Sequence, residues 1–186
     1  MREEILMQHD RASVRRLASM QYKTFSGRQR LLWSALALIL IALGFGLIVD
    51  LGTPWRYIPL ALGCLLFVNV GASAELKADR TLRAIQQQGG EFPRTKMVFS
   101  ERSVLVTEHG GSAHTLPYTR FVRLAEDAEY WYLFITNEAA YMVPLAQIRS
   151  RERLRSALEK GSGQRFVRPA WLFSLRLRDL FGRRGA

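Results

Sequence analysis

Three places in this chain carry residue types able to do chemistry. The stretch TEHGGSAHT sets Glu108, His109 and His114 around a Gly110-Gly111 pair. Across a hairpin the two imidazoles would face each other and, with the glutamate, offer donors to a metal ion; structural zinc sites usually take four ligands. Exposed turn histidines are the simpler reading. Further on, Glu126, Asp127 and Glu129 lie close together and could act as paired carboxylates for acid–base work. Adjacent acids in a turn more often just stay solvated. The single cysteine, Cys64, lies in an apolar run, so no internal disulfide forms, and no CxxC or Cys/His cluster accompanies it. It reads as a packing residue. No Ser/His/Asp, Cys/His, GxGxxG or P-loop arrangement appears. The expectation is a protein without enzymatic activity, bound metal or cofactor.

A fourth place suits recognition rather than catalysis. In YWYLFI, strand alternation puts Tyr130, Tyr132 and Phe134 on one face and Trp131, Leu133 and Ile135 on the other. One face belongs to a core. The other is covered by a terminal helix or is left as a pocket or partner surface, with Tyr130, Tyr132, Phe134 and Tyr141 as its candidates. A phosphoinositide-type site would want clustered Lys/Arg in a loop, and Arg102 stands alone in its turn.

The elements that position these residues start with two apolar runs. Leu31 to Val49 carries no charge, and at about 1.5 Å per residue it spans roughly the hydrocarbon of a bilayer. The second run, Trp55 to Ala74, has Arg56 as its one charge, near an end where a long side chain can snorkel. Trp33, Trp55 and Tyr57 sit at run ends, as an interfacial belt would. Between the runs, Asp50, Gly52 and Pro54 stop one helix, and Thr53 could cap the next. Pro59 then either kinks the second helix or marks its regular start. Asn69, inside the second run, reads as a contact to a neighbouring helix before it reads as part of a transport path.

Charge is uneven. The net +11 invites a nucleic-acid reading. Residues 1–30 carry seven Lys/Arg against three acids, residues 97–160 carry eight against eight, and residues 161–186 carry six against one. The excess flanks the apolar runs and fills the tail, which favours an anionic membrane surface over a nucleic-acid groove, and no nucleic-acid partner is expected. Lys23, Arg28 and Arg30 before the first run, and Lys77, Arg80 and Arg83 after the second, put both termini in the cytoplasm by the positive-inside rule.

Beyond Ala74 the helical pattern continues through Ala78, Leu82 and Ile85 to a stop at Gly89-Gly90. From about Thr95 short runs rich in Val, Thr, Tyr, Phe and Trp alternate with turns, which predicts an antiparallel meander. AQIRSRERLRSALEK reads as a helix with Ser150 as N-cap and an apolar face for the sheet. The whole is an α+β membrane protein: a cytoplasmic segment at 1–30, a hairpin at 31–74, a stalk at 75–90, a β domain closed by one helix at 91–160, and a tail at 161–186. In that tail Arg168, Trp171, Arg176 and Arg178 suit a segment lying on the anionic inner leaflet, with a disordered basic end as the alternative.

Two apolar helices followed by FPRTKMVFSERSVLVTE, then HTLPYTRFVRLAEDAEYWYLFITN and YMVPL running into the terminal helix, resemble the bacterial YcxB-like family. The resemblance covers roughly residues 10–160 and implies a membrane-anchored, pleckstrin-homology-like domain. It transfers no functional residue. The functional expectation is an inner-membrane interaction module that recognises a protein partner or a second copy of itself. The alternative is a lipid or small-molecule binder using the β domain and basic tail.

Overall fold

A computed structural model describes residues 2–50, 57–87, 89–108 and 110–169. Its first element is a strand, β1 (Glu3–Gln8), with Glu3, Ile5 and Met7 turned inward and Glu4, Leu6 and Gln8 outward. β1 pairs antiparallel with β2 (Arg94–Phe99), Glu3 opposite Phe99 and Gln8 opposite Arg94. Three helices lie between these partners in sequence: α1 (Arg11–Phe25), α2 (Gly27–Asp50) and α3 (Tyr57–Gln87). The apolar hairpin is therefore an insertion between two neighbouring strands of one sheet.

α1 starts at a capping box. Asp10 Oδ1 accepts from the Ser13 N–H at 2.6 Å and Ser13 Oγ accepts from the Asp10 N–H at 2.8 Å, which satisfies two of the orphan donors of a helix start. One side of α1 lies on α3, where Arg15 pairs with Asp79 at 3.6 Å and the Tyr22 hydroxyl donates to the Val70 carbonyl at 3.4 Å. Its other side lies on the β structure through Arg16, Gln21 and Phe25.

α2 and α3 pack on glycine. A Cβ on Gly44 would stand 2.7 Å from Leu60 Cβ, and one on Gly63 would stand 2.9 Å from the Ala37 carbonyl oxygen. Such close backbone approach is how helices associate where water supplies no hydrophobic drive. The outer surface stays apolar and bare: Leu31, Leu38, Phe45, Leu62, Leu65 and Val68 are all exposed. Both helices are long and apolar enough to cross a membrane, yet only 17% and 11% of their apolar windows are buried in the protein. Pro59 is the third residue of α3 and falls in its first turn, where the missing N–H has no intrahelical partner to lose. The residue before it, Ile58, and Tyr57 are already helical. α3 runs 31 residues, about 46 Å, straight past Ala74. It ends at Gly89 (φ 112°) and Gly90 (φ 75°), left-handed positions suited to glycine, with the Gly90 N–H on the Ile85 carbonyl.

The rest is two four-stranded sheets. The first has the order β1-β2-β3-β4, with β3 (Ser103–Glu108) and β4 (Ala113–Pro117). The second has the order β7-β6-β5-β8, with β5 (Arg123–Glu126), β6 (Tyr130–Phe134), β7 (Ala140–Pro144) and β8 (Phe166–Val167). All pairings are antiparallel except β5 with β8. The six strands read from the sequence appear as β2 to β7, and the helix after Ser150 appears as α4 (Arg151–Ser162). Ile5, Met97, Phe99, Val104, Val106, Leu124, Leu133 and Val143 fill the space between the sheets, and Leu154 and Leu158 of α4 close it. Gly161 lets α4 lie on the Tyr118 ring, where a Cβ would come within 2.7 Å.

The first and last parts of this unit are tied together. Glu3 Oε1 accepts the Ser150 N–H at 2.9 Å at the start of α4. The Gln147 amide bonds both the N–H and the carbonyl of Leu6, at 2.8 and 2.9 Å, and so occupies the outer edge of β1. The Ser150 side chain makes no capping bond; its backbone does the joining.

Candidate functional site

Of the carboxylates singled out in the sequence, Glu129 stays exposed and Asp127 is half-buried, but Glu126 is not solvated. Glu126 ends β5 on the inward face and is buried, 6% exposed. It accepts from Trp131 Nε1 at 3.2 Å, Arg155 NH1 at 3.0 Å and Arg168 Nε at 2.9 Å. Burying a charge requires this degree of pairing. Asp127 organises the β5–β6 turn instead: Oδ1 takes the N–H groups of Glu129 and Tyr130, and Oδ2 takes the Tyr132 hydroxyl at 2.6 Å. Burial, helped by that bond to Asp127, raises the Tyr132 pKa far above the ordinary phenol range. Glu129 pairs with Arg16 of α1 at 2.6 Å, and this hydrogen bond raises the Arg16 pKa further. Glu126 thus ties α4 and the segment after β8 to β5, Glu129 ties α1 to the β5–β6 turn, and Asp127 shapes that turn.

Beside them lies an open cleft of about 330 Å³ between α1 and the β5–β6 turn. Arg16, Met20 and Lys23 line one wall, and Glu126, Asp127 and Arg168 the other.

The aromatic face divides. Tyr132 and Phe134 are fully buried, so they are not available as a partner surface in this chain. α1 covers them: Phe25 meets the Phe134 ring edge-on at 5.1 Å, Arg16 lies over the Tyr130 ring, and the Gln21 amide donates to the Glu138 carbonyl. The cover expected from the terminal helix comes from the N-terminal one. On the inward face Trp131 packs against Phe166 at 4.7 Å. Tyr130 and Tyr141 remain partly exposed. Tyr141 OH lies 3.0 Å from His114 Nε2, so His114 pairs with a tyrosine. His109 lies outside the described residues.

The interfacial candidates fall as follows. Trp33 and Tyr57 are exposed on α2 and at the start of α3. Arg168 holds Glu126 while most of its side chain faces solvent. Trp55, Arg56, Trp171, Arg176 and Arg178, and the hairpin tip at 51–56, lie outside the described residues. Asn69 is exposed on α3.

Sequence reasoning did not single out the edge of β4. The Glu108 N–H bonds the Ser112 carbonyl and the Tyr118 N–H bonds the Arg102 carbonyl. With Leu105 opposite Thr115 and Thr107 opposite Ala113, the N–H and C=O groups of Ala113 and Thr115 point away from β3. β4 is the last strand of its sheet, and among the described residues nothing pairs with that edge. The sequence signal was present in the modest, polar AHTLP strand, but edge position is a property of strand order.

Residues 99–158 match the family model of YcxB-like protein. That span runs from the end of β2 into α4, and leaves out β1, α1 and the apolar hairpin. No curated protein and no solved structure matches the chain.

Proposed function

We propose that this protein is a membrane-anchored interaction module. α2 and α3 cross the bacterial inner membrane as a hairpin, both chain ends lie in the cytoplasm, and a pleckstrin-homology-like domain recognises a protein partner close to the bilayer. The observation that carries the reading is the bare hairpin. Its apolar surface is neither covered by the rest of the protein nor compatible with water at that extent. Basic residues at both hairpin feet, Lys23 near the end of α1, Arg30 in the first turn of α2, and Lys77, Arg80 and Arg83 on α3, support the orientation. The meander packed into two sheets with α4 at one end supports the domain type.

The partner would dock on β4. β1 is blocked by Gln147, whereas β4 offers unpaired backbone groups, and an extended segment can add there as a further strand. A photocrosslinking residue at Thr115 of the full-length protein, in its own membranes, should give a discrete protein adduct that the same residue at Ala128 does not give. No adduct at Thr115 from a membrane-bound protein would remove the partner reading. A lipid or small-molecule binder is the second reading, favoured by the cleft beside Glu126. Its volume lies at the low end for ligand sites. Arg16→Ala with Lys23→Ala would abolish that activity and leave the Thr115 adduct intact.

A further inference from the structure

The geometry points to a second membrane contact: the end of the second sheet carrying Arg120, Val122, Arg123 and Arg165 seats on anionic phospholipid headgroups. This rests on the membrane-anchored reading above. Tyr22 donates to the Val70 carbonyl, within the apolar stretch that ends at Ala74, so the last turn of α1 lies at the level of the membrane boundary. Arg123 is fixed to that turn. Its guanidinium donates to the Thr24 carbonyl at 2.7 Å and lies 5.4 Å from the centre of the Phe25 ring. Phe25 in turn stands two residues before α2 begins.

The neighbours of Arg123 share its level. Phe166 is the parallel partner of Leu124, which sets Arg165 beside Arg123 at the same end of the sheet. Val122, half exposed, bonds through its N–H to the Phe134 carbonyl, and Arg120 closes the turn just before it. Arg120 and Arg165 are exposed and make no ion pair among the described residues. The acids near this end are Glu138 of the β6–β7 turn, whose carbonyl takes the Gln21 amide, and Glu159 of α4, whose Oε1 accepts the Phe166 N–H at 3.0 Å and is paired with Arg155. An exposed apolar residue among arginines, level with the hairpin foot and continuous with it, matches an anionic interface in both charge and polarity. The opposite end of the sheet, at Ala128, carries Asp127 and Glu129 and turns away from the bilayer.

The test uses the full chain with Cys64→Ser, reconstituted in nanodiscs. A fluorophore is attached at Val122→Cys or, separately, at Ala128→Cys, and quenched by lipids carrying a nitroxide on the headgroup. With phosphatidylglycerol present, the Val122 probe should be quenched about twofold or more above the Ala128 probe. The excess should shrink in neutral phosphatidylcholine, in high salt, and in Arg120→Glu/Arg165→Glu, two changes at residues without ion-pair partners among the described residues. Equal quenching at both positions in a protein that resists alkaline extraction would overturn the headgroup contact and leave the anchored reading standing. Extraction by alkali would overturn both.

Discussion

Glu126→Ala removes the acceptor shared by Trp131, Arg155 and Arg168. Trp131 is 2% exposed, so its indole N–H is left buried without a partner, which costs about 1–3 kcal/mol. The two arginines are less committed. The Arg155 and Arg168 side chains are 37% and 76% exposed and can turn to water, so each lost pair costs about 0–1 kcal/mol. The expected loss is about 1–5 kcal/mol, a drop in melting temperature of roughly 5–25 °C for a domain of this size. The assay is thermal unfolding of the detergent-solubilised full-length protein, followed by near-UV circular dichroism. Glu126→Gln keeps an oxygen for Trp131 and should lose about half as much. Arg168→Ala should lose at most about 1 kcal/mol. Glu126→Ala melting within about 2 °C of wild type, or Arg168→Ala matching it, would refute the claim that the carboxylate is held by the buried indole as well as by charge.

Other expectations come from separate parts of the molecule. Gly63→Leu should separate α2 from α3, costing about 1–3 kcal/mol from overpacking and increasing protease nicking of the hairpin, while Gly46→Leu, with open space around it, should not. Ile5→Ala should destabilise the β domain by about 2–5 kcal/mol in the same melt, although Ile5 is distant in sequence from the other strands. Asp10→Ala should cost about 1 kcal/mol through the lost helix cap. Burial lowers the His9 pKa, with Asp10 opposing more weakly. The unfolded chain therefore takes up a proton near pH 6.5 that the folded chain resists; stability is intact above that pH and declines as pH falls below it. Denaturation midpoints between pH 8 and 5 should show this decline, and His9→Gln should flatten it.

The sequence made the hairpin and the meander readable for physical reasons. A run without charge from Leu31 to Val49 has few soluble explanations, and β-branched and aromatic runs broken by Gly110-Gly111 and Asp127 have the period of strands. β6 was legible as a central strand because both of its faces are apolar, and it does lie between β5 and β7. β1 was hidden. Its inward set begins with a charge, Glu3, whose place depends on the distant Ser150 amide, and its most conspicuous apolar residue, Leu6, faces out. α1 was hidden by arginines at 11, 15 and 16, although Asp10 and Ser13 marked its start. β8 is two residues long, too short for any periodicity. Glu126 was misread within the acid cluster for a related reason: proximity in sequence says nothing of Arg155 and Arg168, which reach it from α4 and from beyond β8. The aromatic face was misjudged because its cover, α1, lies on the other side of the hairpin in the chain.

The measurement that bears most directly on the anchored module is compartment-specific thiol labelling in spheroplasts. Single cysteines at Thr53 and Ala128, each with Cys64→Ser, are exposed to a membrane-impermeant maleimide. The account expects Thr53→Cys to react in intact spheroplasts and Ala128→Cys to react only after lysis. Labelling of Ala128→Cys in intact spheroplasts, or of neither position until lysis, would contradict it.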